Sequence, residues 1–450
     1  MIRHIPLPLI ALLAVAGSIA WPKESAARSL TMKQAMQLAL SHSKTIQKAR
    51  QQVVELEARR KSSRGAFLPQ LKVDANVMIW DSALAFDPGA FGSLLPPGMD
   101  LGNIRDQITG QIQVSLAQPL TPLWQIAEGY AAVKHGQRAA AKAVEKDRIA
   151  IAADARKAYI QLKQAEAGVN IAKAAVAQVA AQLETVKALK KAGLVGRNDV
   201  LKVEVGLARA KGGLVQASAG YELAHAALAI TLGVAADVTL AASDTFGEPP
   251  ATTTRFGSYL ARAIKQRPLL AAIKAQQESA RAEARAARAA LIPTVAAVAT
   301  YQHTQGQGFA FPKNAFFAGG VLSWSFDWGR DYYKIDAAKA KVRRAELDEK
   351  RLRDGIFLQV KQAFLALRTA RQQLTIARAA VKQAEEAYRL EKSKYEKGAA
   401  TTTDMLSAQL SLNRARLIEN NALHGWHIAR SELDRATGAP IAKPNNEGKS

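Results

Sequence analysis

The sequence KYEKGAATTTDMLSAQLSLNRAR, from Lys394 to Arg416, decides the fold. A charged amphipathic helix runs into Gly398, and glycine is the residue that most often ends a helix. A threonine-rich turn follows, and Asp404 stands where a second helix begins. The stretch therefore predicts a helix–turn–helix tip that joins two antiparallel helices.

The same tip occurs a second time, as ALKKAGLVGRNDVLKVEVGLARA from Ala188 to Ala210. Gly193 and Asp199 each lie 205 positions before the glycine and the aspartate of the other copy. The same shift relates the helices on both sides of the two tips without a gap. A constant shift of this kind indicates an internal duplication.

The duplication divides the chain into two structural repeats, each with a helix, a β-hairpin, a long helix, a tip and a shorter helix. We expect the first repeat at residues 28–240 and the second at residues 257–438, joined by an irregular linker at residues 241–256. The expected parts are β-hairpins at residues 70–118 and 294–326, tips at residues 192–199 and 398–404, a helix from Ser258 to Ala290, and a tail at residues 439–450.

The composition narrows the class of protein. There are 62 Lys and Arg against 38 Asp and Glu in 450 residues, a net charge of +24. Anionic partners such as nucleic acid, lipid headgroups or lipopolysaccharide phosphate suit such a charge. The basic residues are spread along helices among acidic ones, however, which favours a solvated helical surface. The chain has no cysteine, which excludes disulfides, cysteine metal sites and thiol catalysis.

The first 20 residues are typical of a secretory signal peptide. Arg3 and His4 precede the apolar run Ile5–Ala16, and small residues follow it. Ser25-Ala26-Ala27 offers a second cleavage site. No later stretch contains 18 consecutive apolar residues, so we expect an exported chain without a transmembrane helix.

Each long helix carries a heptad of small and apolar residues. Ala155 and Leu162 belong to it in the first repeat, and the shift of 205 carries them onto Val360 and Leu367. Two such positions in every seven predict helices packed at the shallow, left-handed angle of a coiled coil. At 1.5 Å per residue, each long helix would extend about 100 Å. The expected fold class is mainly α with a small β part.

The hairpins alternate apolar and polar residues, as in Leu71–Trp80, which predicts strands with one face of each kind. The polar residues expected to face the lumen of a barrel are Lys72, Asp74, Asn76, Gln111, Gln113 and Ser115. The aromatic residues at the strand ends, typical of the belt at a membrane interface, are Trp80, Phe309, Phe311, Phe316, Trp324 and Trp328.

Four strands cannot close into a barrel, and open edges are not tolerated in lipid. Three chains would supply about twelve strands, an even number within the range of outer-membrane barrels. The sequence therefore predicts a homotrimer in contact with outer-membrane lipid. A soluble coiled-coil protein capped by ordinary amphipathic hairpins is the alternative that the pattern leaves open.

With tips, heptads and hairpins in place, the chain resembles the TolC family of outer-membrane efflux proteins. The resemblance covers essentially all of the chain after the signal peptide. Besides the duplication, it is carried by Phe67-Leu68-Pro69, by Ser325-Phe326-Asp327-Trp328-Gly329-Arg330, and by the tip Tyr395-Glu396-Lys397-Gly398…Asp404-Met405-Leu406. It implies a trimeric, twelve-stranded barrel in the outer membrane, a helical tunnel in the periplasm, and a tip engaged by a periplasmic adaptor protein and an inner-membrane transporter.

The resemblance also implies a gate at the tip. Asp404 matches an aspartate that forms a ring narrowing the closed tunnel, while the second ring aspartate, one turn later, is Ser407 here. Tyr395 and Asp199 match a linking Tyr–Asp pair. The linking arginine two places after the tip glycine is Ala400 in this chain, and Arg197 is a candidate to replace it. Apart from the resemblance, Asp404 and Asp199 are expected to cap helices.

Other chemistry finds little support. No nucleophile–base pair, phosphate loop or carboxylate pair stands out, so we expect no enzyme activity and no cofactor. His424 and His427 share a helix face, which indicates a surface pair rather than a metal site. The alanine- and arginine-rich stretch Arg281–Arg288 does not predict nucleic-acid binding in an exported coiled-coil protein. The expected function is a passive exit duct for efflux or type I secretion; a periplasmic adaptor or structural coiled-coil protein is the alternative.

Overall fold

The computed structural model describes residues 28–85, 89, 96, 102–235, 240–250, 255–308, 312–325 and 327–439. The first repeat contains β1 (Arg28–Leu30), α1 (Met32–His42), α2 (Lys44–Gly65), β2 (Gln70–Ile79), β3 (Leu84–Ala85), β4 (Asn103–Arg105), β5 (Ile108–Pro119), α3 (Pro122–Lys191) and α4 (Arg197–Leu232). The rest contains β6 (Leu240–Ala242), α5 (Phe256–Gln266), α6 (Pro268–Ala289), β7 (Thr294–Gln305), β8 (Asn314–Ser323), α7 (Arg330–Glu396) and α8 (Thr402–Thr437). The expected signal peptide and residues 440–450 of the expected tail lie outside the described residues.

Two long helices dominate the molecule. Helix α3 has 70 residues and α7 has 67, and each forms an antiparallel hairpin with a helix of 36 residues, α4 or α8. The predicted heptad positions are buried: Ala155 and Leu162 in α3, and Val360 and Leu367 in α7. Helix α3 also contacts α2, α6 and α8, so it joins the two repeats. No helix in the described part of the chain is long and apolar enough to cross a membrane.

The helices before the two hairpins are both broken. The first break is at Ser43, and the helix expected from Ser258 to Ala290 is interrupted at Arg267. The two residues have nearly the same backbone angles, φ −59° and ψ 114° against φ −68° and ψ 119°. The prediction of one continuous helix was wrong, because Pro268 lacks an N–H group and its ring keeps the preceding residue out of the helical region.

The four long strands form one antiparallel sheet in the order β2-β5-β7-β8. Strands β5 and β7 pair across the repeats, and β2 and β8 remain at the edges. The fourth strand ends at Ser323, before the predicted end at residue 326, which lies outside the described residues. The segment between β2 and β5 contains the short pair β3 and β4, and most of its other residues lie outside the described ranges.

A short parallel pair, β1 with β6, ties the start of the chain to the segment after the first repeat. Sequence patterns missed it because three residues show no period. The buried hydroxyl of Tyr159 donates to the carbonyl oxygen of Leu30 at 2.8 Å and accepts from the backbone N–H of Asp244 at 3.0 Å. This core also contains Ala35 and Leu228.

Candidate functional site

The six residues predicted to line a lumen lie on one face of the sheet. They form three directly opposed pairs between β2 and β5: Lys72 with Ser115, Asp74 with Gln113, and Asn76 with Gln111. The alternate residues, such as Val73 and Val77, share the other face and are more than 60% exposed. The sheet therefore has one polar face and one exposed apolar face.

Side chains on the polar face hydrogen-bond along the strand. The amide of Gln111 donates to Gln113 at 3.3 Å, and the amide of Gln113 donates to the Ser115 hydroxyl at 3.1 Å. The Lys72 ammonium lies 2.8 Å from the Asp74 carboxylate. These charges cancel, so amides and hydroxyls set the character of this face.

The third strand adds residues that the sequence analysis missed. Thr300, Gln302 and Thr304 lie opposite Ser115, Gln113 and Gln111, respectively. The Thr300 hydroxyl donates to the Ser115 hydroxyl at 3.3 Å. The sequence offers little indication of which residues of this strand share the polar face, because residues 300–305 are polar or amphipathic at every position and show no alternation.

The three tryptophans have different environments. Trp324 is exposed and continues the alternation of Phe316 and Leu322 on the apolar face, and Trp328 is 91% exposed. Trp80 instead follows the alternation of the polar face, and its indole N–H donates to the hydroxyl of Thr109 at 3.0 Å. The Arg105 guanidinium lies 3.7 Å from its ring centroid. Trp80 therefore lies on the polar face of the sheet, and Trp324 lies on the apolar face. Phe309 and Phe311 lie outside the described residues.

Both tips end their long helix in the same way. Gly193 and Gly398 each have φ +74°, a left-handed conformation that glycine adopts without steric cost. Their N–H groups, and those of the residues that follow, bond to carbonyls of the preceding turn: Gly193 to Lys190, Leu194 to Leu189, Gly398 to Tyr395, and Ala399 to Lys394. These pairs form the Schellman motif, which satisfies the last carbonyls of a helix.

The second tip carries a capping box. The Asp404 carboxylate accepts from the Thr401 backbone N–H at 3.0 Å and from its hydroxyl at 2.6 Å, and the Asp404 N–H donates back to that hydroxyl at 3.2 Å. These bonds from Thr401 favour the ionised form and lower the pKa of Asp404, and Lys394 and Lys202 lower it further. Asp404 thus takes part in the predicted cap, as the third residue of α8.

The first tip lacks this box, so the predicted cap by Asp199 is wrong. Its N-cap is Gly196, which has no side chain to accept the first N–H groups of α4. The Asp199 carboxylate lies 3.7 Å from the Lys202 ammonium instead. Asp199 is the third residue of α4, at the position that Asp404 takes in α8.

The residues matched to the gate meet only in part. Tyr395 packs on a cluster of the first hairpin that includes Val186 and Val203. Its hydroxyl is buried and has no hydrogen-bond partner in the described ranges, so the expected bond to Asp199 is not formed within this chain. Arg197 and Ser407 are exposed, and Arg197 forms no ion pair with a carboxylate that the structure describes.

A groove of about 1010 Å³ runs between α3, α4 and α8. Gly206, Gly213 and Gly220 line it at intervals of seven residues, and alanines stand between them. Gln409 of α8 also lines it; this side chain is 2% exposed, and neither of its amide atoms has a partner in the described part of the chain. The sequence analysis missed this groove, although the seven-residue spacing of the glycines was a visible signal.

The histidine pair is not on the surface, contrary to the prediction. His424 is 5% exposed, and its Nδ1 lies 2.8 Å from the carbonyl oxygen of Asn420. Phe246, from the segment between the repeats, covers both imidazoles, with its ring centroid 4.6 Å from that of His427. Burial lowers the pKa of both histidines. The described residues contain no group of three or more metal-binding side chains.

Known proteins share this sequence pattern and fold. Two Pseudomonas aeruginosa proteins align with part of the chain. Alkaline protease secretion protein AprF is 30% identical over 114 residues, covering 25% of this chain and 24% of that protein. Outer membrane protein OprJ is 28% identical over 186 residues, 39% of this chain and 37% of that protein. The aligned part thus spans about a quarter to about a third of these relatives.

The Campylobacter jejuni CmeC outer membrane channel has the same fold, with a TM-score of 0.75, 18% identity, and coverage of 97% of this chain and 94% of that one. The sequence model of the outer membrane efflux protein family matches residues 35–234 and 259–439, which is most of the chain. The chain therefore belongs to the outer membrane efflux protein family.

Proposed function

We propose that three copies of this chain form a passive duct through the outer membrane, gated at its periplasmic tip. As a member of its family, the protein resides in the outer membrane. The family and the fold are those of channels rather than enzymes. The observation that carries the proposal is the sheet, with its amide-rich face, its exposed apolar face and its two edge strands.

Closure of the sheet argues for the trimer. Every backbone N–H and C=O group must be satisfied in lipid, and the edges of β2 and β8 have no partner strand among the described residues. Pairing β8 of one copy with β2 of the next closes a barrel of about twelve strands. Its polar face then surrounds water, and residues such as Val73 and Ile79 face lipid.

The helices extend the duct away from the membrane. Helices α3 and α7 each extend about 100 Å from the sheet to the tips. Asp404, which lies at the end of this hairpin and keeps its charge because its pKa is lowered, brings three carboxylates to the tip of the trimer. We infer that this ring, with Ser407 one turn later, narrows the closed tunnel.

The groove between α3, α4 and α8 is the proposed contact for a periplasmic adaptor, which links the duct to an inner-membrane transporter. A row of small residues next to exposed leucines, such as Leu223 and Leu410, accommodates a helix at close range. Arg209 and Arg414 border the groove and form no ion pair with described carboxylates, so we expect acidic residues on the adaptor helix.

The lumen assignment is tested by the ion selectivity of single channels in planar bilayers. Gln113→Lys adds a charge to a face whose described charges cancel, and three copies are expected to shift the reversal potential towards anion selectivity. Gln51→Lys, at an exposed position of α2, is the control. Recovery of the protein in the soluble periplasm, or equal reversal potentials for both variants, would overturn the duct.

A further inference from the structure

The break between α5 and α6 places an arginine where the first repeat has a capping serine. Ser43 and Arg267 are equivalent joint residues, 224 positions apart. The Ser43 hydroxyl accepts from the N–H of Ile46 at 3.3 Å and caps α2. Arg267 has only donors and caps nothing, and α6 has no side-chain cap. The arginine at this position therefore does not cap the helix that follows it, as the serine does in the first repeat.

The Arg267 side chain is held in place, but its guanidinium has no ion-pair partner among the described residues. Gly438, at the end of α8, lies against its stem; a Cβ built there would come within 3.1 Å of Arg267 Cγ. The guanidinium is half-buried, its Nη1 is buried without a hydrogen-bond partner, and it forms no ion pair with a carboxylate that the structure describes. Burial, and secondly the charge of Arg435, lower the pKa of Arg267.

Arg267 lines a cavity of about 620 Å³ between α3, α6, α7 and the end of α8. The other charges there are matched: Lys146 lies 2.8 Å from Asp147, and Arg435 lies 3.3 Å from Asp154 and 3.8 Å from Glu432. Among the cations that line the cavity, Arg267 is therefore the one without an ion-pair partner among the described carboxylates. Gln359 and Gln362 of α7 bring amide donors to the same wall.

We propose that this cavity binds a small anion through Arg267, with a carboxylate or phosphate group as the ligand. A planar guanidinium binds such groups through two parallel hydrogen bonds. The anion gives the Arg267 guanidinium the ion pair that it lacks within the described part of the chain. The amides of Gln359 and Gln362 offer further donors to its remaining oxygens.

Isothermal titration of the full-length protein in detergent tests this site, with inorganic phosphate in one arm and acetate in the other. We expect saturable binding in at least one arm, weakened about tenfold or more by Arg267→Gln. Lys265→Gln removes a positive charge two residues away from an exposed position and should leave binding unchanged. Binding of phosphate alone identifies a phosphate site, and binding of acetate identifies a carboxylate site.

Thermal unfolding separates binding from a merely structural role. Arg267→Gln removes a half-buried charge that has no ion-pair partner, so its unfolding midpoint without anion should equal or exceed that of the wild type, and the anion-dependent rise should disappear. Heats and midpoint rises absent in both arms for the wild type, or equal for wild type and Arg267→Gln, would overturn the site.

Discussion

The two helical hairpins, α3–α4 and α7–α8, have the same backbone plan and different outer faces. Gly206 and Gly213 of α4 correspond, 205 positions on, to Ser411 and Ile418 of α8. The glycines line a groove, whereas Ile418 is exposed. The comparison indicates that the duplication kept the residues that close each hairpin and varied the residues on its other faces.

The two tips also share a backbone plan and differ in the N-cap residue. Gly196 and Thr401 are equivalent N-cap residues, and this one difference decides whether the following aspartate enters a capping box. In the second tip Asp404 is fixed by Thr401, whereas in the first Asp199 lies near Lys202. This difference supports the proposal that the glycines of the first hairpin serve partner docking and that the gate lies in the second.

Filling the groove should have the largest effect. A Cβ on Gly213 meets no atom within 4 Å, so Gly213→Trp is expected to fold and to block a docked helix. Transport in cells should fall by about tenfold or more, as for loss of a central contact in an interface. Gly212→Trp, with equally open surroundings but outside the groove lining, is the control. Equal transport by the two variants would contradict a docking role.

The gate should respond unequally to its two aspartates. Asp404→Ala removes the ring charge and the cap, and is expected to raise the resting single-channel conductance several-fold. Asp199→Ala should change it less. Unchanged conductance in both variants would count against a role in closure.

Two further variants separate charge from cap at Asp404. Thr401→Ala breaks the box at a cost of about 1 kcal/mol and keeps the carboxylate, while Asp404→Asn keeps an acceptor and removes the charge. The fold lowers the pKa of Asp404, so the ionised carboxylate stabilises the tip at every pH above the ordinary pKa of aspartate. This stabilisation is lost as the pH falls through the lowered pKa. The difference in stability between wild type and Asp404→Asn should therefore persist at neutral pH and vanish in strong acid.

The histidine pair should make the second repeat acid-sensitive, and the first repeat has no such pair, because Ala219 and Glu222 occupy the equivalent positions there. Burial lowers the pKa of His424 and His427, so these histidines bind protons more readily in the unfolded chain than in the folded one. Stability should fall as pH drops through about 6.5, the unfolded value. The unfolding midpoint is expected to drop a few degrees more in the wild type than in His424→Gln/His427→Gln. Equal drops would show that the pair does not contribute.

Building the missing box in the first tip should have the smallest effect. At Gly196 a Cβ has room, its nearest neighbour being the Asp199 carboxylate at 3.9 Å. Gly196→Thr should stabilise the protein by a few tenths of a kcal/mol, the usual difference between glycine and a capping residue. Denaturant unfolding measures it, and Gly196→Thr in an Asp199→Ala background should lose the part of the gain that depends on the box.

The features that the sequence alone predicted are mostly ones that repeat with a period. The heptad through Leu162 and Leu367, the alternation around Asp74, and the tip glycines each follow from local geometry and were found where expected. Contacts between distant segments were beyond such patterns. No period reveals that Phe246 covers His424, that Trp80 lies beside Thr109, or that residues 28–30 pair with residues 240–242. Missing the helix break at Arg267 was a different kind of error, because Pro268 indicates that break in the sequence.

The pairing of β1 with β6 has a consequence for the order in which the protein folds. The backbone N–H of Met32 donates to Asp244, 212 positions later, and the Tyr159 hydroxyl joins both segments. A chain delivered amino end first across the inner membrane exposes Arg28–Leu30 early and must wait for Leu240 before that strand has a neighbour. Because closing so long a loop is slow, we expect this early segment to be among the last of the first repeat to reach its native place.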